Sequence, residues 1–159
     1  MNPLDKEIAR DRRVVAEWLL WYEERKQQYQ EMREEILESS PAPIHEQVPV
    51  QVQGSISDTV GQKGTKLGEH QETEKWLALA EEVEQRLPWK MQALLRLKRK
   101  YKVGVKGRPV RWLIALELSE VVSRELGKDW CIGMDSVDKW WQRVVTYAVI
   151  LAAKKGLVK

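Results

Sequence analysis

Between Leu4 and Leu37 the chain holds no proline or glycine, and Ile8, Asp11, Val15, Trp18, Tyr22, Arg25, Tyr29, Met32 and Ile36 recur alternately three and four residues apart. That is the spacing of a and d positions in a coiled coil, and it predicts one long helix over residues 1–38, roughly nine turns in length. Two seam positions, Asp11 and Arg25, are charged, which weakens the seam and can fix its register. The seam has two uses open to it: self-association through residues 4–37 to give a homo-oligomer, or folding back onto its own chain.

Residues 39–70 break the pattern with Pro41, Pro43, Pro49, Gly54, Gly61, Gly64 and Gly68, and read as a flexible linker. Within them Val48, Val50 and Val52 alternate as a short strand would, but Pro49 demotes that run to an edge strand or to none. Helical spacing returns over Glu72–Leu87 through Trp76, Ala80 and Val83, and Pro88 suits the first turn of a further helix running to about Val103. That helix sets Met91, Leu94 and Leu95 on one side and Arg96, Arg99 and Lys100 on another. Past the Gly104–Gly107 turn, a helix from Pro109 carries Val110, Leu113, Ile114, Leu118, Val121 and Val122 until Gly127 closes it. A short loop, Lys128–Gly133, then leads to a last helix with Asp135 or Ser136 as N-cap and an inward stripe of Val137, Trp141, Val144, Ala148 and Leu151. The fold class predicted is all-α: a long N-terminal helix, a flexible linker, and a C-terminal four-helix domain over 71–159.

Charge is sorted along this pattern. Residues 1–86 carry 11 Lys and Arg against 18 Asp and Glu, whereas residues 87–159 carry 16 against 6. Arg96, Lys98, Arg99, Lys100, Lys102, Lys106, Arg108 and Arg111 follow one another with no acid among them, a density suited to meeting phosphates and releasing their counterions. A solvated helix face also looks like this, but the acids of the chain do not interleave with the run. Cys131 is the single cysteine, so no intramolecular disulfide can form. No secretory signal pattern opens the chain, and no apolar run approaches the ~20 residues of a membrane span, so the expectation is an intracellular protein without a membrane partner. Eight tryptophans and no phenylalanine put much of the packing on large rings.

Nothing in the sequence calls for catalysis. His45 and His70 lie in the linker, far from Cys131, without metal-ligand spacing, and neither a phosphate-cradling Gly-rich loop nor a paired set of carboxylates occurs. No metal, no cofactor and no enzyme activity are expected. Gly104-Val105-Lys106-Gly107 has the outline of the GxxG loop of KH domains, but the strands of that fold are missing, and the plainer reading is an interhelical turn with Lys106 and Arg108 beside it as phosphate contacts.

The order of elements is more informative: a helix with a basic face, a Gly turn, a second helix, a loop, and a final helix with polar first turns. A helix-turn-helix module presents this order and lays its last helix in the major groove. Opposite the apolar stripe of that helix stand Ser136, Lys139, Trp140, Gln142, Arg143 and Thr146, where Arg143 suits guanine and Gln142 suits adenine.

Three stretches, EEILESSPAP at 34–43, SDTVGQKGTKL at 57–67 and EEVEQRLP at 81–88, follow in the order found in small bacteriophage transcriptional regulators of the ArpU/RinA type, which this chain resembles. The resemblance implies a C-terminal part like region 4 of bacterial sigma factors, with Leu87–Tyr101 as its first helix, Trp112–Leu118 as the supporting helix and Ser136–Arg143 opening the recognition helix. One departure is the stretch Glu120–Met134, about ten residues longer than the compact turn of the family.

Together these readings lead to a phage-encoded, sequence-specific transcriptional regulator that binds double-stranded DNA in the cytoplasm of an infected bacterial cell, with late-gene activation and contact with the host RNA polymerase implied by the resemblance. Lys98, Arg99, Lys102, Lys106, Arg108 and Arg111 would position the DNA backbone, with Arg96 and Lys100 beside them, and Lys139, Gln142 and Arg143 would read bases. A phage small terminase subunit and a protein-interaction adaptor that binds no DNA are the alternatives.

Overall fold

The computed structural model describes the backbone of residues 2–38, 53–104 and 106–158, and the side chains of residues 2–38, 70–104 and 106–158. Among them run six helices: α1 (Pro3–Leu20), α2 (Tyr22–Glu38), α3 (Gln53–Arg86), α4 (Trp89–Lys100), α5 (Val110–Leu126) and α6 (Met134–Lys154). The described residues contain no strand, and the fold is all-α. The strand considered at Val48–Val52 lies outside the described residues, as does His45.

The helix expected over 1–38 is interrupted at Trp21, whose backbone (φ −98°, ψ 17°) leaves the helical region. Arg99 donates its Nε to the Leu19 carbonyl there at 2.8 Å. A side chain inserted into the i→i−4 ladder in this way is an ordinary cause of a helix break, and one that local sequence does not announce. The linker expected over 39–70 also differs: from Gln53 the backbone is helical. Pro49 is the last proline of that stretch, and glycine weakens a helix by about 1 kcal/mol per residue without blocking its hydrogen bonds.

The chain divides into two compact units, one made of Met1–Tyr22 with Ala78–Lys159, the other of Glu23–Leu77. In the first, α6 packs against α1, α4 and α5, and α4 against α1 and α5. Leu94, Leu97, Ile114, Ala115, Leu118, Val122, Ile132 and Val137 form one buried cluster, with Trp130, Trp140 and Trp141 packed on it. The stripes read from the sequence are thus the buried faces of α5 and α6. Of the seam, Val15 in α1 and Tyr22 at the start of α2 are buried within this unit, with Leu19 beside them, so this part of it folds back on its own chain, whereas Ile8 stays exposed. Gly127 (φ +68°) closes α5 in the left-handed conformation that a side chain would resist. The long connection expected over Glu120–Met134 is therefore mostly helix, and the loop between α5 and α6 shrinks to 127–133.

That loop is pinned to α5 by two serines one turn apart. Ser123 Oγ donates to the Trp130 carbonyl at 2.9 Å and accepts from its N–H at 2.8 Å, while Ser119 Oγ accepts from the Ile132 N–H at 3.1 Å. The cap of α6 is Gly133, not Asp135 or Ser136, which stand inside the first turn.

The second unit holds most of α2 and the first part of α3. Tyr29 donates to Glu74 and meets His70 edge-on, with ring centroids 5.6 Å apart. Burial and the Glu74 carboxylate together push the Tyr29 hydroxyl up from its ordinary pKa. Met32 and Ile36, the last apolar seam positions, are exposed.

Candidate nucleic-acid interface

Backbone geometry distributes the basic run over the end of α4, the Gly turn and the start of α5. Its members meet different fates. Arg99, expected to contact phosphate, is 8% exposed. Besides the Leu19 carbonyl it donates to Glu84 Oε2 at 3.1 Å, and its guanidinium lies 5.1 Å over the Tyr22 ring. Burying an unpaired charge is expensive, so a buried guanidinium needs acceptors of this kind, and Arg99 belongs to the interior. It is not a DNA contact.

Lys100 pairs with Glu117 at 3.0 Å, and the Tyr101 hydroxyl donates to the same carboxylate. Those two donors hold Glu117 below the usual carboxylate range, the tyrosine contributing most, and Glu117 in turn raises the Lys100 ammonium. Arg111 pairs with Asp138 at 2.7 Å and Asp135 at 3.4 Å, which places acids rather than free cations at the entrance of α6. Lys98 sits 5.2 Å over the Trp141 ring, half-buried, where burial pushes its pKa down against the pull of Asp138. Lys102 lies 4.7 Å over Trp21. Arg96 is exposed and only loosely near Glu84, at 3.9 Å. Lys106 and Arg108 are exposed on the turn between α4 and α5, with no ion pair among the described residues.

On α6, Asp135, Lys139, Gln142, Arg143, Thr146 and Ile150 are all exposed. Their spacing puts them on one face of the helix, away from its buried stripe of Val137, Val144, Ala148 and Leu151. Ser136 is half-buried, and Trp140, expected on this face, packs against Trp130 with centroids 5.9 Å apart. Lys139 and Arg143 carry no ion pair among the described residues.

Sequence reasoning missed Arg12. From α1 it donates Nη1 to Thr146 Oγ1 at 2.8 Å and Nη2 both to the Gln142 side-chain carbonyl oxygen and to the Gln142 main-chain oxygen, the latter at 3.3 Å. Nothing local could have marked it, because its partners lie 130 and 134 residues away.

The first unit carries 21 Lys and Arg against 13 Asp and Glu, and the second 6 against 11, so the sorting of charge seen along the sequence follows the compact units. Among the described residues no three His, Cys, Asp or Glu side chains gather as a metal site would require, and no helix is long and apolar enough to cross a membrane. Comparison with protein-family models, with curated proteins and with solved structures finds no match.

Proposed function

We propose that the first unit binds double-stranded DNA as the sigma region 4-like helix-turn-helix part of a phage late-gene regulator, with α6 in the major groove. The observation that carries this reading is the set Lys106, Arg108, Lys139 and Arg143: exposed cations left without an acidic partner among the described residues, in a unit with a net charge of +8. Free cations release phosphate counterions on contact, whereas Lys100, Arg111 and Arg99 already hold carboxylates. Lys106 and Arg108 then position the backbone, and Lys139, Gln142 and Arg143 face base edges. The acidic second unit repels phosphate and is the part left to meet a protein, either the host polymerase or a second copy of the chain.

The test is binding of the full chain to random-sequence duplex across a salt series. Two phosphate contacts, from Lys106 and Arg108, give a log–log slope of about −1.8, and Lys106→Ala with Arg108→Ala removes most of it. Absence of binding at low salt would overturn the reading and leave the adaptor.

A further inference from the structure

Arg12 reaches two hydrogen-bond acceptors on the exposed face of α6, the side-chain oxygen of Gln142 and the hydroxyl oxygen of Thr146. A guanidinium has five donors and no acceptor, so of the Gln142 amide it can pair with the oxygen and not with the NH2 group. Its contact fixes which way the Gln142 amide points: the oxygen turns towards α1 and the NH2 group away from it. No partner for that NH2 occurs among the described residues. Thr146 is polarised in the same sense, since an oxygen that accepts from Arg12 keeps its O–H to give elsewhere. Lys139 and Arg143, on the same face, bring donor groups and no acceptor. From Lys139 to Thr146 the face offers donors, and both of its side-chain oxygens, on Gln142 and Thr146, already accept from Arg12.

We infer that Arg12 is a specificity-determining residue that sets the Gln142 amide as a donor and so tunes α6 to guanine. In the major groove guanine presents two acceptors, N7 and O6, whereas adenine pairs one acceptor with an amino donor and cytosine offers an amino donor. Glutamine reads adenine by accepting from that amino group with its oxygen and donating to N7. With the oxygen turned towards α1 and one of its two lone pairs taken by Arg12, the NH2 group is the part of the Gln142 amide left to meet a base edge, and guanine is favoured at the position facing Gln142. This inference rests on the DNA-binding reading above. It reverses the adenine preference that Gln142 has when considered alone.

The experiment is selection of duplexes from a random library by the full chain, by Arg12→Met and by Gln142→Ala, each also titrated with unselected random duplex. Methionine keeps the length and apolar stem of arginine without its donors. The native chain is expected to enrich guanine at one position. Arg12→Met moves that position towards adenine, changing the guanine-to-adenine affinity ratio by about tenfold, with random-duplex binding nearly unchanged. Gln142→Ala erases the preference there and leaves the neighbouring positions intact, and it stays informative even if Arg12→Met fails to fold. An identical consensus from the native chain and a folded Arg12→Met overturns the inference while the DNA-binding reading stands. A position facing Gln142 that prefers adenine in the native chain overturns it as well. No duplex binding by the native chain removes the proposed function itself, and the inference with it.

Discussion

Arg99 shows how far a residue's neighbours in sequence can mislead about its role. It stands among Lys98, Lys100 and Lys102 and shares their composition, yet it is the member of the run whose guanidinium is enclosed by Leu19, Tyr22 and Glu84. Arg99→Met removes the donors and leaves the Leu19 carbonyl and the Glu84 carboxylate short of partners, at a cost of about 2–4 kcal/mol. Urea denaturation should record this as a lower midpoint with an unchanged slope. The salt slope for DNA should stay that of the native chain, and a shallower slope would return Arg99 to the surface. Lys106 gives the converse case: it stands in the same basic run but on the Gly104–Gly107 turn, exposed and without a carboxylate partner among the described residues.

At the scale of elements, the helices were legible and their joints were not. The apolar stripes of α5 and α6 and the glycine that ends α5 can all be read from spacing, because they depend on residues within a turn or two of one another. The loop between these helices depends instead on Ser119 and Ser123, which look like ordinary polar positions in a helix. Ser123 supplies both a donor and an acceptor to Trp130, so Ser123→Ala should cost about 1–2 kcal/mol. Hydrogen exchange should show the Trp130 amide losing protection while amides in the middle of α5 keep theirs. Equal protection in both proteins would mean that packing of Trp130 and Ile132 holds the loop without the serine. The break at Trp21 and the continuation of helix from Gln53 are joints of the same kind, set by contacts or costs that a propensity window does not contain.

For the molecule as a whole, the consequential fact is that α1 is part of the C-terminal unit. Val15 and Leu19 are almost fully buried, and α1 packs on both α6 and α4. Each such side chain contributes about 1.5–3 kcal/mol by burial, against a total stability of about 5–15 kcal/mol for a domain. Deleting residues 1–22 should therefore yield a protein with reduced helical circular dichroism and a broad, weakly cooperative melt. A sharp melt at the native temperature would show that α3 to α6 suffice. The same arrangement brings Arg12 onto the face of α6, so the amino-terminal helix contributes to the surface on which the proposed DNA contacts stand.

By itself the sequence determined the all-α class, the buried faces of α5 and α6, the closing glycine of α5 and the excess of positive charge in the C-terminal half. These follow from periodicity, turn chemistry and composition, each a local or summed property. Tertiary structure alone decided that the α1 seam folds back, that Arg99 is interior while Lys106 is not, and which way Gln142 points. Those outcomes turn on pairs separated by 80 and 130 residues, Arg99 with Leu19 and Arg12 with Gln142. The energy of such a pair depends on a meeting that no pattern within either segment encodes.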